Sequence, residues 1–461
     1  MTLNADTRTV DAHAADARST DAHTIDAWNA DRPASPYADL TPPLTAVQAL
    51  AESSRCLYCY DAACVRACPT GIDIPAFIRS IATGNLKGAA TTILSENIMG
   101  GTCGRVCPTE TLCEQACVRN SAEERPVAIG RLQRHATDSL LGSAAVHPFT
   151  RAAASGKRVA VVGAGPAGLS CAHRLAVLGH AVTVFEAKPK AGGLNEYGLA
   201  PYKMADDFAQ REVAFILGIG GITVEHGRRL GADLSLEALR ADFDAVFLGI
   251  GLGGNNRLDI PGEDLARVED ATAFIARVRQ ATAAAPVPVG RRVVVIGGGN
   301  TAVDAAIQAK RLGAEDVTLV YRRGRGQMGA TPWEQELAQT NGVLLKTFAT
   351  PVAIDDAGVT FARTRLEPGG ALAVTGERFT LAADLVLKAV GQTLVQGGAQ
   401  GEALAGLEVA GGRIAVDDGY RTALAGVFAG GDCVASGADL TVQSVQDGKL
   451  AARAIHHHLT L

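Results

Sequence analysis

The chain has 461 residues, of which 47% are hydrophobic, and its formal net charge at pH 7 is −5. This length suits about three domains with sizeable cores, and the slight acidity gives no reason to expect a nucleic-acid or membrane partner. No apolar stretch predicts a transmembrane helix, and no secretory signal is found, so we expect a cytoplasmic protein. In that reducing compartment, the ten cysteines predict metal or redox ligands rather than disulfides.

Composition and periodicity divide the chain into five segments. Residues 1–45 are rich in Ala, Asp and Thr and predict a disordered tail. Residues 46–150 have a helical pattern and contain most of the cysteines. Two strand–turn–helix–strand units follow and predict parallel sheets. We place the first nucleotide domain at 151–285, an inserted second one at 286–409, and the return segment of the first at 410–461.

Eight cysteines fall in two short groups within the helical segment. They are Cys56, Cys59, Cys64 and Cys68, then Cys103, Cys107, Cys113 and Cys117. Short spacings gather thiolates in a small volume, and proline follows one cysteine of each group, as is typical of ferredoxin-type iron–sulfur binding. Zinc is the alternative, but it usually takes separated pairs or mixed Cys and His sets, and no histidine lies between these cysteines. The groups therefore predict two iron–sulfur clusters.

The first glycine-rich turn follows an apolar strand and opens a helix. It reads Gly163, Ala164, Gly165, Pro166, Ala167, Gly168. The first glycine permits a tight turn, the second lets a pyrophosphate approach the backbone, and the third packs the helix on the strand. Glu186 ends the next strand, where a carboxylate can bond ribose hydroxyls. Together these features predict a dinucleotide site.

The second turn repeats this unit. Its residues and the acid that follows them are Gly297, Gly298, Gly299, Asn300, Thr301 and Asp304. The next strand ends in Arg322 and Arg323 instead of an acid. Arginine there suits a 2′-phosphate and favours NADP, although both side chains can also be merely solvated, so NAD stays open.

A strand near the C-terminus ends in Gly431 and Asp432, and a helix starts near Thr441. In flavoproteins with two dinucleotide sites, such a Gly-Asp typically contacts the ribityl-phosphate region, and the helix N-terminus stabilises charge on the reduced flavin. The first turn is therefore expected to hold FAD and the second NAD(P). The predicted fold is α/β, with two Rossmann-like dinucleotide-binding domains preceded by an α-helical domain carrying two 4Fe–4S clusters.

These features resemble the pyridine-nucleotide–disulfide oxidoreductase fold, with one departure. No closely spaced redox cysteine pair lies near either turn, because Cys171 and Cys433 are isolated. Cys171 lies on the helix after the first turn and is expected to serve packing. Electrons must therefore leave by another route.

The helical segment resembles the N-terminal domain shared by dihydropyrimidine dehydrogenase and the small subunit of glutamate synthase. The stretches around Cys56–Cys64, Phe77–Ile81 and Ile129–Gln133 are similar to the dihydropyrimidine dehydrogenase branch. The resemblance implies one cluster on Cys56, Cys59, Cys64 and Cys117, and another on Cys68, Cys107, Cys113 and the side chain of Gln133. Cys103 is left as a non-ligand. It also implies flavin contacts at Gly193 and Leu194.

The resemblance implies the electron-input subunit of a bacterial two-chain, NAD(P)-dependent dihydropyrimidine dehydrogenase. NAD(P)H would reduce FAD, and electrons would pass through two clusters to an FMN and iron–sulfur partner that reduces uracil or thymine. This chain shows no barrel and no third cysteine group. Three alternatives remain: a glutamate synthase small subunit, for which glutamate is typical near Gln133, another NAD(P)H–ferredoxin-type subunit, and a docking subunit without turnover.

Overall fold

The computed structural model describes residues 35–142, 147–281, 287–395, 403–435 and 438–461. Its first part is helical, with a short 3-10 turn at Thr109–Thr111. The helices are α1 (Ala46–Ser53), α2 (Ala63–Ala67), α3 (Ile74–Ala82), α4 (Leu86–Glu96), α5 (Gly100–Val106), α6 (Val118–Glu123) and α7 (Ile129–Leu141).

Local sequence explains where these helices begin and which side they bury. Asp73 caps α3 by accepting a hydrogen bond from the amide of Ala76 at 3.1 Å. Apolar residues then recur at spacings of three and four along α3, from Ile74 to Ile81, and all of them are buried. They form one small core with α4 and α7, and half-buried cysteines of both groups pack against its edge.

The first sheet has five parallel strands in the order β17–β4–β1–β2–β3. They are β1 (Arg158–Val162), β2 (Ala181–Glu186), β3 (Ile222–His226), β4 (Ala245–Leu248) and β17 (Val427–Ala429). The central strands are apolar and buried, as expected for a parallel sheet covered by helices. Helices α8 (Pro166–Val177) and α15 (Thr441–Thr460) pack together on one face.

The second sheet is also parallel, in the order β6–β13–β7–β8–β9. Its strands are β6 (Val268–Asp270), β7 (Arg292–Gly297), β8 (Asp316–Val320), β9 (Leu344–Lys346) and β13 (Leu385–Ala389). Between β9 and β13, the chain forms an antiparallel sheet of β10 (Ala349–Asp355), β11 (Gly358–Leu366) and β12 (Leu372–Leu381).

The remaining elements connect the sheets or cover them. They are α9 (Leu194–Tyr197), α10 (Phe208–Leu217), α11 (Leu236–Asp242), α12 (Ala271–Gln280), α13 (Asn300–Arg311), α14 (Pro332–Thr340), a 3-10 turn at Arg325–Gln327, and the short strands β5 (Gly254–Asn255), β14 (Gln392–Thr393), β15 (Val409–Ala410) and β16 (Arg413–Ile414).

The second nucleotide domain both starts and ends earlier in the chain than the boundaries 286–409 predict, because Leu394, Ala403 and Leu404 pack in a core of the first sheet. Strand β6 already pairs with β13, and α12 contributes to the core under the second sheet. The chain crosses between the domains where β5 pairs with β14. The sequence does not predict β6, because this edge strand of three residues is too short to show a periodic pattern.

The expectation of a disordered tail at 1–45 is wrong for residues 35–45, which pack against the rest of the protein. Residues 1–34 lie outside the described residues. The segment 35–44 lies between the helical domain and the second nucleotide domain. Asp39 forms an ion pair with Arg134 at 2.5 Å. The amide of Leu40 donates to the carbonyl of Tyr202 at 2.8 Å, and Arg311 donates to the carbonyl of Ala38 at 2.8 Å. These partners are distant in sequence, so composition alone does not reveal them.

Candidate cofactor sites

One cavity of about 950 Å³ runs along the carboxyl ends of strands from both parallel sheets. This is where open α/β sheets bind nucleotides. Most of the predicted cofactor residues line it: Gly163, Gly165, Pro166, Ala167, Glu186, Gly193, Leu194, Gly299, Asn300, Thr301, Asp304, Gly431, Asp432 and Thr441. Gly168, Gly297, Arg322 and Arg323 do not.

The first turn joins β1 to α8 and leaves its backbone open to the cavity. Gly163 has φ of +97°, and a Cβ there would lie 2.4 Å from the carbonyl oxygen of Gly249. A Cβ on Gly168 would lie 1.9 Å from the carbonyl oxygen of Gly163. Glycine is therefore required at both positions, and Gly168 packs the helix against the strand without touching the cavity.

Glu186 ends β2 beside this turn and is largely buried. Its carboxylate accepts hydrogen bonds from the amides of Ala164 and Lys188, both at 2.8 Å. The side chain thus holds the turn in place while it lines the cavity. A carboxylate has acceptor capacity beyond these two bonds, so the geometry remains compatible with ribose binding.

The return segment closes the other side of the first turn. The Asp432 carboxylate accepts a hydrogen bond from the Ser444 hydroxyl at 3.1 Å, and burial raises the pKa of Asp432. Helix α15 starts at Thr441, whose hydroxyl donates to Asn195 at 2.9 Å. The helix N-terminus therefore opens into the cavity with its amides and positive dipole end.

The second turn joins β7 to α13. Gly297 ends the strand and lies behind the turn, against the carbonyl of Ala389. Asn300 lines the cavity, and its buried Oδ1 has no hydrogen-bond partner within the described part of the chain. Asp304 is held differently from the expectation, because its carboxylate pairs with Lys203 at 2.7 Å and accepts from Tyr202 at 3.1 Å. This acid therefore joins the two nucleotide domains as well as facing the cavity.

Arg322 and Arg323 follow β8 after one residue, Tyr321, near the position of the missing ribose acid. Arg322 is exposed and Arg323 is half-buried. Neither guanidinium has an ion pair or hydrogen bond to another side chain or backbone atom among the described residues. Both lie outside the cavity lining, at the end of the strand that follows the second turn.

One small cavity, of about 30 Å³, gathers Cys56, Cys59 and Cys64 with Cys117 from the second group. This is the first ligand set that the resemblance implies. The side chains surround a space instead of converging on one point: among the described residues, no three His, Cys, Asp or Glu side chains are placed to hold a single metal ion. Burial raises the pKa of the Cys64 thiol to about 11.

The three cysteines of the second implied set also come together. Cys68 and Cys113 are close enough to Cys107 to influence its ionisation. The hydrogen bond that the Cys107 thiol donates to Cys103 has the largest influence and burial the next largest, and both raise the pKa of Cys107. Gln133 is buried in α7, and its Nε2 donates to the carbonyl of Gly100 at 2.7 Å. Its amide nitrogen is thereby occupied, which leaves oxygen as the atom that suits iron.

Cys107 links the two kinds of site. It lines the nucleotide cavity together with Val106 and Pro108, and residues of the first glycine turn line the same cavity. Cys113 and Cys64, from different sets, are in turn close enough to interact electrostatically. The order from the inside is therefore nucleotide cavity, the set with Cys107, and the set with Cys56.

One cavity-lining residue and one buried residue between α5 and α10 escaped the sequence reasoning. Lys388, at the end of β13, lines the cavity, and its ammonium pairs with Glu263 at 2.7 Å. Glu212 in α10 is buried and accepts a hydrogen bond from the amide of Thr102 at 3.0 Å. A lysine within an otherwise apolar strand was a usable signal for the first, whereas nothing local marks Glu212.

Comparison with known proteins bears on this arrangement. Residues 157–448 match the pyridine nucleotide-disulphide oxidoreductase family, and residues 34–144 match the family described as dihydropyrimidine dehydrogenase domain II, 4Fe-4S cluster. The chain is 38% identical, over 93% of its length and 98% of the other protein, to the NAD-dependent dihydropyrimidine dehydrogenase subunit PreT of Escherichia coli strain K12.

The chain belongs to the PreT family. As a member of this pyridine nucleotide-disulphide oxidoreductase group, it is an oxidoreductase that uses FAD, NAD(P) and 4Fe–4S clusters. More distantly, it is 35% identical to the NADP(+)-dependent formate dehydrogenase subunit beta of Moorella thermoacetica, over 86% of this chain and 60% of that protein.

Solved structures support the fold of this PreT family member. Mycobacterium tuberculosis FprA in complex with NADPH has a TM-score of 0.54 at 22% identity, covering 66% of this chain and 84% of that one. Lactococcus lactis thioredoxin reductase has a TM-score of 0.52 at 21% identity, covering 66% and 99%. Across the described ranges, no helix has the length and apolar character that a membrane span requires.

Proposed function

We propose that the chain is the electron-input subunit of a dihydropyrimidine dehydrogenase. When bound, FAD accepts hydride from NAD(P)H and can release electrons singly to two 4Fe–4S clusters, which lead to an FMN and iron–sulfur partner that reduces uracil or thymine to 5,6-dihydropyrimidines. The single observation that carries this proposal is Cys107 in the wall of the nucleotide cavity.

The residues present fit these cofactors. The backbone of the first turn, with Gly193, Glu186 and Asp432, would hold FAD, and the second turn would hold the nicotinamide nucleotide. Cys68, Cys107, Cys113 and Gln133 would bind the inner cluster. Cys56, Cys59, Cys64 and Cys117 would bind the outer cluster.

The surface around the outer cysteine set supports an exit to a protein partner. Leu57, Tyr58, Tyr60 and Val118 are all exposed there, and Tyr60 is fully so. Large apolar side chains clustered on a surface commonly mark an interaction site. Electrons leaving the outer cluster would therefore meet the partner at this face, and a reducing, cytoplasmic setting suits the thiolate ligands.

The nicotinamide preference rests on Arg322 and Arg323. Guanidinium groups after β8 that have no partner among the residues the structure describes suit the 2′-phosphate of NADPH. The name of the Escherichia coli relative specifies NAD, and that of the Moorella relative specifies NADP(+). We propose that this chain accepts NADPH through these arginines.

Anaerobic co-expression with an FMN-binding partner tests the function. The reconstituted complex should oxidise NADH or NADPH when uracil or thymine is added, and not when glutamine and 2-oxoglutarate are added. Cys56→Ser should abolish the uracil-driven reaction while reduction of the flavin by nicotinamide persists. Turnover with glutamine and 2-oxoglutarate instead of pyrimidines would refute the proposal and favour a glutamate synthase subunit.

A further inference from the structure

A buried lysine on α15 lies behind the loop that carries Cys68. Lys449 lies at the interface between two domains and is only 3% exposed, which is unusual for a lysine. Its ammonium donates to the carbonyl of Thr70 at 2.9 Å and to the carboxylate of Glu96 at 2.8 Å. The buried Thr70 hydroxyl in turn lies 3.3 Å from the sulfur of Cys68. A short chain of contacts thus joins the ammonium to a ligand of the proposed inner cluster.

The charges around Lys449 do not cancel. Arg174 and Arg453 are close enough to act on it, together with Glu96. Arg174 donates to the carbonyl of Ser95 at 2.7 Å, which keeps it beside the end of α4. Burial is the largest influence and lowers the pKa of Lys449, while Glu96 opposes that effect. Lys449 and Arg174 therefore share one carboxylate at this domain interface, with the exposed Arg453 nearby, and the local charge is positive.

A buried cation is costly, so its presence calls for a reason. An apolar side chain of similar volume would fill the same space without the cost of removing a charge from water. The reduction potential of an iron–sulfur cluster depends on net charge and on hydrogen bonds to its sulfurs. A fixed positive charge behind the Cys68 loop favours the reduced form of that cluster, because reduction adds one negative charge.

The position of Lys449 along α15 also supports an electrostatic role. The same helix begins at Thr441 in the wall of the nucleotide cavity. Lys449 follows eight residues later, about two turns further along. One helix therefore presents positive potential first to the flavin site and then to the inner cysteine set, in the order in which electrons would travel.

We propose that Lys449 is a positioning residue that raises the reduction potential of the cluster bound by Cys68. The identity of that ligand set rests on the proposed function. A cluster held by Cys68 would take up one electron from the reduced flavin, while Lys449 would keep its proton and form no bond. Its charge makes this uptake favourable. Glu96 acts in the opposite direction, so the two side chains together set the potential.

Redox titration of the full chain, loaded anaerobically with FAD and clusters and followed by EPR, tests this proposal. Lys449→Met should lower the equilibrium constant for reducing the inner cluster about tenfold, which is about 59 mV for one electron. Lys449→Arg should retain most of the unmodified value. Glu96→Gln should shift the same signal in the opposite direction, which a purely structural role would not do.

The controls separate this inference from the proposed function. Cys68→Ser identifies the signal of the inner cluster, and Lys157→Met removes an exposed lysine far along the chain and should leave both signals in place. If Lys449→Met fails to assemble its clusters, Glu96→Gln still decides the matter, because that carboxylate is partly exposed. Iron–sulfur signals that neither variant moves would overturn this inference alone. A preparation with flavin but no iron–sulfur signal would overturn the proposed function as well.

Discussion

Glu212 provides a test of how the helical domain is attached to the first nucleotide domain. It lies in α10 and is buried against α5, where its carboxylate accepts hydrogen bonds from the amide and the hydroxyl of Thr102. Burial is the largest influence and raises the pKa of Glu212 to about 7 from 4.5, although these hydrogen bonds and the charge of Arg105 lower it.

The size of the effect follows from that pKa. A change from 4.5 to about 7 corresponds to about 3 kcal/mol, at 1.36 kcal/mol per pKa unit. Because the folded protein binds this proton more tightly, the stabilisation is fully present below pH 4.5 and is lost as the pH rises through 7. Glu212→Gln avoids the buried charge and keeps a carbonyl for the Thr102 amide. We therefore expect the variant to be more stable than the unmodified chain at pH 8.5 by up to about 3 kcal/mol.

Urea unfolding at several pH values between 5.5 and 8.5, followed by the loss of cluster absorbance, measures this difference. The free energy of unfolding of the unmodified chain should fall more steeply with rising pH than that of Glu212→Gln. Glu225→Gln, on the exposed end of β3, is the matched control and should follow the unmodified chain. Equal pH slopes for Glu212→Gln and the unmodified chain would refute the reasoning, because they would show that Glu212 does not gain a proton in the folded state.

Changes at the cofactor sites have separate expected outcomes. Gly168→Ala places a methyl group against the first turn and should remove most of the bound FAD, as measured by flavin content after desalting, whereas Gly376→Ala, which has open space, should not. Arg322→Ala combined with Arg323→Ala should raise the KM for NADPH about tenfold or more and leave that for NADH within about twofold; equal changes would exclude phosphate recognition. Gln133→Ala should alter one of the two iron–sulfur EPR signals, and an unchanged spectrum would remove Gln133 from the ligands.

The sequence predicts the two parallel sheets well because their signals are local. Each glycine turn follows an apolar strand and opens a helix, and the structure has both units, at β1–α8 and β7–α13. The fold class is confirmed by the family matches to both parts of the chain. Local patterns suffice here because backbone geometry at a phosphate-binding turn depends on few neighbours.

Side-chain partners within the sites were less accessible to sequence reasoning. Asp304 belongs to the second turn by its position, yet its ion pair with Lys203 comes from a segment about a hundred residues earlier in the chain. The same holds for Lys449 and Thr70, which lie in different domains. Such pairs depend on how the domains pack, and no spacing rule within one element encodes that packing.

The two cysteine sets are interleaved along the chain, and this arrangement affects folding. Spacing alone divides the eight cysteines into two consecutive groups, but the small cavity joins Cys117 to three members of the first group. Cys68, the remaining member, lies with Cys107 and Cys113 instead. Each proposed cluster would therefore hold together both ends of the helical domain, and binding of metal to such a site contributes directly to folding. Since the core of this domain is small and is bordered by half-buried cysteines, loss of one cluster should loosen the whole domain, including the wall of the nucleotide cavity that Cys107 provides.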